Sequence, residues 1–265
     1  MPTRRFVYDS AMTFSTSMAR APLLALYPLW QWLVYLPLVA LLTVIGALIA
    51  VPLALLVSPR LANLNVAVPW GRFLCIAAPV HVELQGLENV NRRQSYVLVA
   101  NHQSVFDIPV IYGYSGLDLR WVMKAELSKL PFVAQGCRAI GHIFIDRSDP
   151  DQARAAINRA VARLKPGTGI LFFPEGTRSR DGQLLPFKKG AFRVAIDRQM
   201  PVLPVTVSGT REVMPARSFR LRPGRVVLRF HPPIDTEGMS TRDLRSLSDR
   251  VHSDIASGLD AAQAA

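Results

Sequence analysis

The chain has 265 residues, enough for one α/β domain of ordinary size together with an appendage. A formal net charge of +12 favours anionic partners, and a hydrophobic content of 50% makes a nucleic-acid binder a poor match while suiting a protein seated on an anionic membrane. The two cysteines, Cys75 and Cys137, exclude a disulfide framework and fit a reducing compartment.

The N-terminal part carries an apolar run, residues 21–57, without a charged side chain. A membrane span needs about 20 apolar residues, so the run predicts a membrane-embedded helical element rather than a cleaved signal peptide or a buried helix of a soluble core. We therefore divide the chain into a membrane-associated helical segment, residues 1–60, and an α/β domain, residues 61–265.

Two geometries of that run remain open. One is a single tilted span from about Trp32 to Val57, and the other is a helix–break–helix hairpin that enters one leaflet and returns, with a break near Pro37. Positive charge on both sides gives no strong orientation signal and mildly favours the hairpin with both ends in the cytoplasm. The flanking arginines are Arg4, Arg5, Arg20, Arg60 and Arg72.

The remaining chain alternates short apolar runs with helical patterns. The predicted strands are 80–84, 96–100, 119–123, 143–146, 170–173, 202–207 and 226–230, and the predicted helices are 151–164, 187–196 and 241–259. Ser148 or Asp149 is expected to cap the first of these helices, and Ser240 or Thr241 the last. The alternation predicts an α/β fold with a mixed, mainly parallel central sheet flanked by helices on both faces.

The segment 101–107 reads Asn-His-Gln-Ser-Val-Phe-Asp and follows a predicted strand. His102 and Asp107 would point about 140° apart on one continuous helix, so they meet only if His102 lies in the turn and Asp107 on the helix after it. Asp107 would then bind one imidazole nitrogen and leave the other free as a base. This is the base and its orienting partner without a nucleophile, which suits activation of a substrate hydroxyl; an ordinary structural hydrogen bond is the alternative.

Arg147 ends the segment 141–147, Gly-His-Ile-Phe-Ile-Asp-Arg, which contains another predicted strand. Its planar guanidinium suits a phosphate group, and a surface ion pair with Asp146 is the alternative interpretation.

The segment 173–180, Phe-Pro-Glu-Gly-Thr-Arg-Ser-Arg, indicates an anion-binding turn after a strand. Gly176 permits close backbone approach, Thr177 supplies a hydroxyl, and Arg178 supplies a guanidinium. Neighbouring arginines are expected to hold Glu175 ionised, which favours an orienting or substrate-hydroxyl role over proton transfer. A polar loop with incidental charges is the alternative.

These blocks, in this order, resemble the glycerolipid acyltransferases, with the bacterial 1-acyl-glycerol-3-phosphate acyltransferases as the nearest group. The matching blocks are 101–107, 141–147, 173–178, the proline-containing strand 201–204, and Lys124-Ala125-Glu126-Leu127, and the resemblance covers roughly residues 84–234. It implies that His102 is the catalytic base and Asp107 its partner. It also implies a set of residues that bind the phosphorylated acceptor, namely Lys124, Arg147, Glu175, Gly176, Thr177 and Arg178.

The resemblance implies acyl transfer from acyl-CoA or acyl carrier protein to the sn-2 hydroxyl of lysophosphatidic acid, giving phosphatidic acid. Direct attack is expected, with an acyl-enzyme through Ser104 or Cys137 as the alternative. We expect no cofactor beyond the thioester co-substrate and no metal, because the five histidines lack ligand spacing.

The expected partners are membrane lipids and an acyl carrier protein but no nucleic acid, and the expected location is the inner membrane with the catalytic domain on the cytoplasmic side. Three alternatives remain: the same chemistry on another lysophospholipid or lyso-aminolipid, a membrane-tethered acyl-thioesterase, and a non-enzymatic binder of anionic lipid.

Overall fold

In the computed structural model, residues 26–263 are described, so Arg4, Arg5 and Arg20 lie outside the described residues. The strands are β1 (Val80–Gln85), β2 (Val97–Ala100), β3 (Asp118–Lys124), β4 (Ile143–Ile145), β5 (Thr168–Phe172), β6 (Val202–Ser208) and β7 (Gly224–Phe230). The α-helices are α1 (Leu36–Leu56), α2 (Pro59–Ala62), α3 (Val68–Ala77), α4 (Asp107–Tyr114), α5 (Val133–Ile140), α6 (Pro150–Val161), α7 (Gly190–Asp197), α8 (Thr210–Val213) and α9 (Leu244–Gln263). All seven predicted strands are confirmed.

The predicted helix caps are also present. The side chain of Asp149 accepts a hydrogen bond from the backbone N–H of Gln152 at the start of α6. Ser240 forms a capping box with Asp243, at the head of a short 3₁₀ turn, Thr241–Asp243, that leads into α9. Both contacts satisfy N–H groups that a helix start leaves without intrahelical partners, so local chemistry fixes these two boundaries.

The strands form one sheet in the order β1-β7-β6-β2-β5-β3-β4. Every neighbouring pair is parallel except β6 and β7, which confirms the predicted mixed, mainly parallel sheet. The strands β6, β2, β5, β3 and β4 therefore end at the same edge. The chain segments that follow these five strands are brought together there, although they are far apart in the sequence.

Both faces of the sheet are covered, which explains why the central strands are apolar throughout. Val97 and Val99 of β2 point to a core formed with α7 and α9. Leu98 and Ala100 point to the opposite core, formed with α1, α3 and α4. All four side chains are fully buried, as expected for a strand whose alternate residues meet different helical layers.

From Leu26 onward the N-terminal apolar run forms one long helix, which is the first arm of a helical hairpin. Its first arm runs from Leu26 to Leu56, 31 residues with a π-helical turn at Gln31–Tyr35, and its most apolar window has a mean hydropathy of 2.7. The chain reverses at Ser58 and returns through α2, a second π-helical turn (Asn63–Ala67) and α3. At about 1.5 Å per residue the first arm is about 46 Å long, more than a bilayer core requires, and most of its surface is exposed.

The expected break near Pro37 was wrong. Pro37 lies inside the first arm, two residues after the π-helical turn at Gln31–Tyr35, and the helix continues through it. The reversal lies instead at Ser58, immediately before Pro59 at the start of α2. The two arms are antiparallel and are joined by a hydrogen bond from Trp70 Nε1 to Thr43 Oγ1 of 3.1 Å. The second arm thus extends past residue 60, where we place the predicted domain boundary.

A close helix crossing joins the hairpin to the α/β domain. A Cβ atom on Gly71 of α3 would lie 3.0 Å from Gly113 N and from Pro109 O, and one on Gly113 of α4 would lie 2.7 Å from Arg72 N. Neither position has room for a side chain, so the backbones of α3 and α4 pack directly against each other. The Arg72 guanidinium also donates to Gly113 O at 2.6 Å.

A buried polar cluster forms a second joint between hairpin and sheet. The Asp118 carboxylate accepts hydrogen bonds from Asn63 Nδ2 at 2.7 Å, Arg120 Nη1 at 2.6 Å and Thr168 Oγ1 at 3.0 Å. Asn63 belongs to the hairpin, while Asp118 and Thr168 begin β3 and β5. All four residues are less than 9% exposed, so each depends on the others for its hydrogen bonds.

His142, from the second block, belongs to the same interior. Its Nδ1 accepts from the backbone N–H of Trp121 at 3.2 Å, and its Nε2 contacts the Tyr112 hydroxyl at 2.6 Å. Burial lowers the pKa of His142 to about 3, so it is neutral at physiological pH. These contacts indicate a structural role for His142 in the buried core.

Candidate active site

His102 lies in the turn between β2 and α4, and Asp107 is the first residue of α4. The His102 Nδ1 to Asp107 Oδ2 distance is 2.6 Å, which confirms the predicted contact. Asp107 is fully buried, whereas the His102 side chain keeps 15% of its surface exposed. Nε2 has no hydrogen-bond partner among residues 26–263, so this nitrogen is accessible to a substrate group.

The Asp107 carboxylate is surrounded by donors. Oδ2 also accepts the backbone N–H groups of Gln103 at 2.8 Å and Ser104 at 2.9 Å, and Oδ1 accepts the hydroxyl of Thr210. Because the carboxylate serves as an acceptor on every side, the contacts assign the proton of His102 to Nδ1 and leave the lone pair on Nε2.

Thr210 was not among the residues predicted from the sequence. It follows β6, which is the sheet neighbour of β2, and it therefore reaches the His102 turn from a point about a hundred residues away in the chain. The available sequence signal was weak: a Ser-Gly-Thr run after a predicted strand.

Asn101 determines how the chain leaves β2. Its buried side-chain amide donates to Val207 O at 2.8 Å and accepts from Val207 N at 2.7 Å. The side chain thus satisfies a backbone position of β6 that β2 would otherwise pair with, and the main chain is released to turn at His102.

The segment after β5 packs against this turn. The rings of Phe173 and His102 are stacked with centroids 4.0 Å apart and planes 14° apart. The backbone N–H of Ser179 donates to His102 O at 2.8 Å. Two of the predicted blocks, 101–107 and 173–178, therefore form one surface.

Glu175 supports that surface from within. Its Oε1 accepts the backbone N–H of His102 at 2.6 Å and its Oε2 accepts that of Leu185 at 3.1 Å. Burial raises the pKa of Glu175 to about 7, although both N–H groups oppose the shift. The expectation that nearby arginines keep the pKa of this carboxyl low was therefore wrong, because desolvation is the larger effect. The contacts support an orienting role, since both oxygens are engaged by the protein backbone.

The predicted cationic residues approach the same edge. Arg147 donates from Nη1 to Gly176 O, so the second and third blocks touch. Gly176 has a φ of +73°, and a Cβ atom there would lie 2.9 Å from Lys188 Nζ, so Lys188 also stands over this turn. The turn therefore has two cations beside it, Arg147 from the segment after β4 and Lys188 from the segment between β5 and α7.

The other predicted residues are Lys124, Thr177 and Arg178. Lys124 ends β3 beside β4 and forms an exposed ion pair with Glu126 at 2.6 Å. Thr177 is exposed and Arg178 is half-buried. In the part of the chain that the structure describes, neither side chain makes a hydrogen bond or ion pair.

A cavity of about 410 Å³ opens beside the turn, between α6, α7 and the sheet. Its lining combines apolar side chains with five cations, Arg147, Arg154, Lys188, Lys189 and Arg193, and two carboxylates, Asp151 and Asp197. Phe173 lines this cavity and stacks on His102, so the cavity, in which cations outnumber carboxylates, adjoins the proposed base. The arrangement can bind an anionic, partly apolar molecule and accept a proton from its hydroxyl.

Removal of the Thr210 hydroxyl is expected to lower kcat without changing KM. A hydrogen bond to a charged group contributes about 1.5–3 kcal/mol, so Thr210→Val should slow turnover by roughly tenfold or more, and Thr210→Ser should recover most of the rate. Thr206→Val is the control, because Thr206 is buried on β6, the strand that precedes Thr210, but contacts His231 and Ile255. Equal losses of kcat in both valine variants would contradict a positioning role for Thr210.

Comparisons with known proteins agree with this geometry. Residues 81–208 match the family model described as Acyltransferase. The chain is 31% identical over 205 residues to a 1-acyl-sn-glycerol-3-phosphate acyltransferase of Limnanthes douglasii, covering 77% of this chain and 72% of that one. It is also 31% identical over 211 residues to the alpha form from Mus musculus, covering 77% and 73%.

A solved structure is similar over nearly the whole length. The crystal structure of the 1-acyl-sn-glycerophosphate (LPA) acyltransferase, PlsC, from Thermotoga maritima superposes with a TM-score of 0.75 at 30% identity, covering 93% of this chain and 98% of that one. A coverage of 93% leaves too few residues outside the match to exclude the whole hairpin. On fold, site residues and relatives together, the chain belongs to the 1-acyl-sn-glycerol-3-phosphate acyltransferase family.

Proposed function

We propose that this enzyme transfers a fatty acyl group from a thioester to the sn-2 hydroxyl of lysophosphatidic acid, giving phosphatidic acid. The observation that carries the proposal is the His102–Asp107 pair, oriented at a strand end beside a turn that Arg147 reaches from a different strand. The acceptor for which the relatives and the solved structure are named supports this choice.

In the proposed mechanism the acceptor hydroxyl donates to His102 Nε2. The hydroxyl oxygen attacks the thioester carbonyl as its proton passes to Nε2, and Asp107 stabilises the imidazolium that forms. A carbon–oxygen bond forms, the carbon–sulfur bond breaks, and the proton on Nε2 passes to the departing thiolate. Atoms and charge balance without a covalent enzyme intermediate.

The surroundings of the two candidate nucleophiles favour direct attack. The Ser104 hydroxyl donates to Met214 O at 2.6 Å and accepts from Phe106 N at 3.0 Å, so it is engaged away from the imidazole. Burial raises the pKa of the Cys137 thiol to about 11, which opposes formation of a nucleophilic thiolate.

The acceptor phosphate is proposed to bind Arg147, Arg178 and Lys124 around the Gly176–Thr177 turn, with Glu175 holding the turn in place. Arg147→Ala or Arg178→Ala should raise KM for lysophosphatidic acid by about tenfold or more and leave kcat within a few-fold, because each removes a charge-assisted contact. Arg159→Ala, on the exposed side of α6, is the control.

The same variants should behave like wild type toward a monoacylglycerol, which has no phosphate. If Arg147→Ala or Arg178→Ala kept the wild-type dependence on lysophosphatidic acid concentration, the phosphate assignment of that arginine would be wrong.

The hairpin indicates membrane association. We further propose that it seats the enzyme on the inner membrane with the catalytic domain in the cytoplasm, which the basic net charge supports. The donor is proposed to be acyl-CoA or acyl carrier protein, and membrane lipids are the other partners.

The test is thiol release from palmitoyl-CoA by detergent-purified enzyme with and without lysophosphatidic acid, with the lipid product identified by mass spectrometry. Acceptor-dependent release with formation of phosphatidic acid is expected. Release without acceptor would point to a thioesterase, and preference for another lysolipid in an acceptor panel would replace the proposed substrate. Release only from acyl carrier protein would identify the donor.

A further inference from the structure

The loop that joins α8 to β7, residues 214–223, exposes an aromatic ring among cations. Phe219 is 75% exposed. Arg217, Arg220 and Arg222 are exposed as well, and none of the three forms an ion pair within residues 26–263. Such a ring contributes nothing to the core, and unpaired guanidinium groups around it suit an anionic, partly apolar surface.

Gln31 fastens this loop to the apolar hairpin. Its side-chain amide donates from Nε2 to Phe219 O and accepts at Oε1 from Leu221 N at 2.9 Å. Gln31 is 3% exposed and Leu221 is 1% exposed, so the joint is buried on both sides. This contact accounts for the presence of a polar Gln31 in a run that is mostly apolar.

The hairpin residues next to Gln31 face outward. Leu29, Trp32 and Leu33 are 58%, 60% and 72% exposed. Large apolar side chains on a membrane-associated helix contact lipid, and residues within one or two positions of Gln31 lie less than one helical turn from it along the axis. Phe219, bonded to Gln31 through its carbonyl, is therefore held at the depth where the hairpin meets lipid.

A cavity between the loop and the start of the hairpin has the chemistry of a headgroup site. It measures about 1050 Å³, and Tyr27, Trp30, Arg220 and Arg222 line it. Amphipathic aromatic rings favour the membrane–water interface, and guanidinium groups pair with phosphate.

The loop also continues directly into the active site. Met214, its first residue, accepts the Ser104 hydroxyl at 2.6 Å, and α8, which precedes it, begins at Thr210 beside Asp107. A contact between the loop and the bilayer would therefore set the position of the His102 turn relative to the surface that supplies the acceptor.

We propose that the 214–223 loop is a second membrane contact, in the catalytic domain, which inserts Phe219 at the interface and binds anionic phospholipid headgroups through Arg217, Arg220 and Arg222. The link to catalysis rests on the proposed function, whereas the contact itself does not. Each arginine near an anionic surface contributes about a fivefold change in binding, so R220A/R222A should weaken the contact by roughly 30-fold.

The first test measures how deeply the loop enters the bilayer. The full chain is reconstituted in phosphatidylcholine vesicles containing phosphatidylglycerol. A nitroxide is attached to Phe219→Cys in a Cys75→Ala/Cys137→Ala background that has kept wild-type activity, and Arg245→Cys on α9, 91% exposed, is the control site. We expect oxygen to relax the label at position 219 more than a water-soluble nickel reagent does, with the reverse at position 245. Equal water accessibility at the two sites would overturn the proposal.

The second test uses turnover. Wild-type activity on bilayer-embedded lysophosphatidic acid should rise with the fraction of phosphatidylglycerol, and R220A/R222A should lose most of this stimulation. The same variant should match wild type on a short-chain, monomeric lysophosphatidic acid, and Arg245→Ala should match wild type on both. Full stimulation in R220A/R222A would overturn the lipid contact.

If acyl carrier protein, and not phosphatidylglycerol, changes the label spectrum, the loop docks the donor and the lipid proposal is wrong. If wild type acylates neither acceptor, the proposed function fails while the label depths still decide the membrane contact.

Discussion

Replacement of His102 by alanine is expected to slow acyl transfer by about 10²–10⁴-fold, the range for a positioned general base. The acceptor hydroxyl would lose the Nε2 acceptor, while the Asp107 carboxylate would keep its bonds from Gln103, Ser104 and Thr210. The loss should appear in kcat, because the cationic residues proposed to bind the acceptor remain. Thiol release in the presence of saturating lysophosphatidic acid measures it.

His81→Ala is the matched control, because His81 is exposed on β1 and touches none of these groups. A Ser104→Ala variant separates the two mechanisms. We expect it to retain turnover within a few-fold apart from any effect of the lost Met214 contact, and we expect no acyl adduct on wild type during turnover. An acyl group trapped on Ser104, or a fully active His102→Ala enzyme, would overturn the mechanism.

Replacement of Asp118 by alanine is expected to lower the free energy of unfolding by about 3–5 kcal/mol, because it leaves the Arg120 guanidinium buried without its partner. The change also removes an acceptor from Asn63 and Thr168, so hairpin and sheet lose a joint. Urea unfolding of the detergent-purified protein, followed by near-ultraviolet circular dichroism, gives the shift in midpoint.

Glu83→Ala supplies the comparison for this prediction. Glu83 also pairs with an arginine, Arg225, but that arginine side chain is 59% exposed, so the loss should stay within about 1 kcal/mol. Shifts of similar size for Asp118→Ala and Glu83→Ala would show that burial of the Asp118 cluster does not govern its contribution.

The strands and the His102–Asp107 contact could be predicted because their signals are local. Short runs of Val, Ile and Leu bounded by turn residues identify strands that are covered on both faces. The spacing of His102 and Asp107 permits contact only across a strand-to-helix turn, and the structure has that turn. The cap at Asp149 is likewise set by residues within one helical turn.

Features that depend on the order of strands or on burial could not be predicted. Thr210 contacts Asp107 because β6 lies beside β2, which no local pattern indicates. The sequence places arginines near Glu175, but the shift of its pKa comes from desolvation. No local pattern indicates that the helix passes through Pro37 and that the chain reverses at Ser58.

The close crossing of Gly71 and Gly113 connects the hairpin rigidly to α4, the helix that begins at Asp107. No side chain lies between the two backbones, so the apolar arm and the helix that starts at Asp107 are expected to tilt and sink as one body. The depth at which the hairpin sits in the bilayer would then fix the height of His102 above the lipid. We therefore expect the enzyme to prefer acceptors whose free hydroxyl lies at that height above the lipid surface.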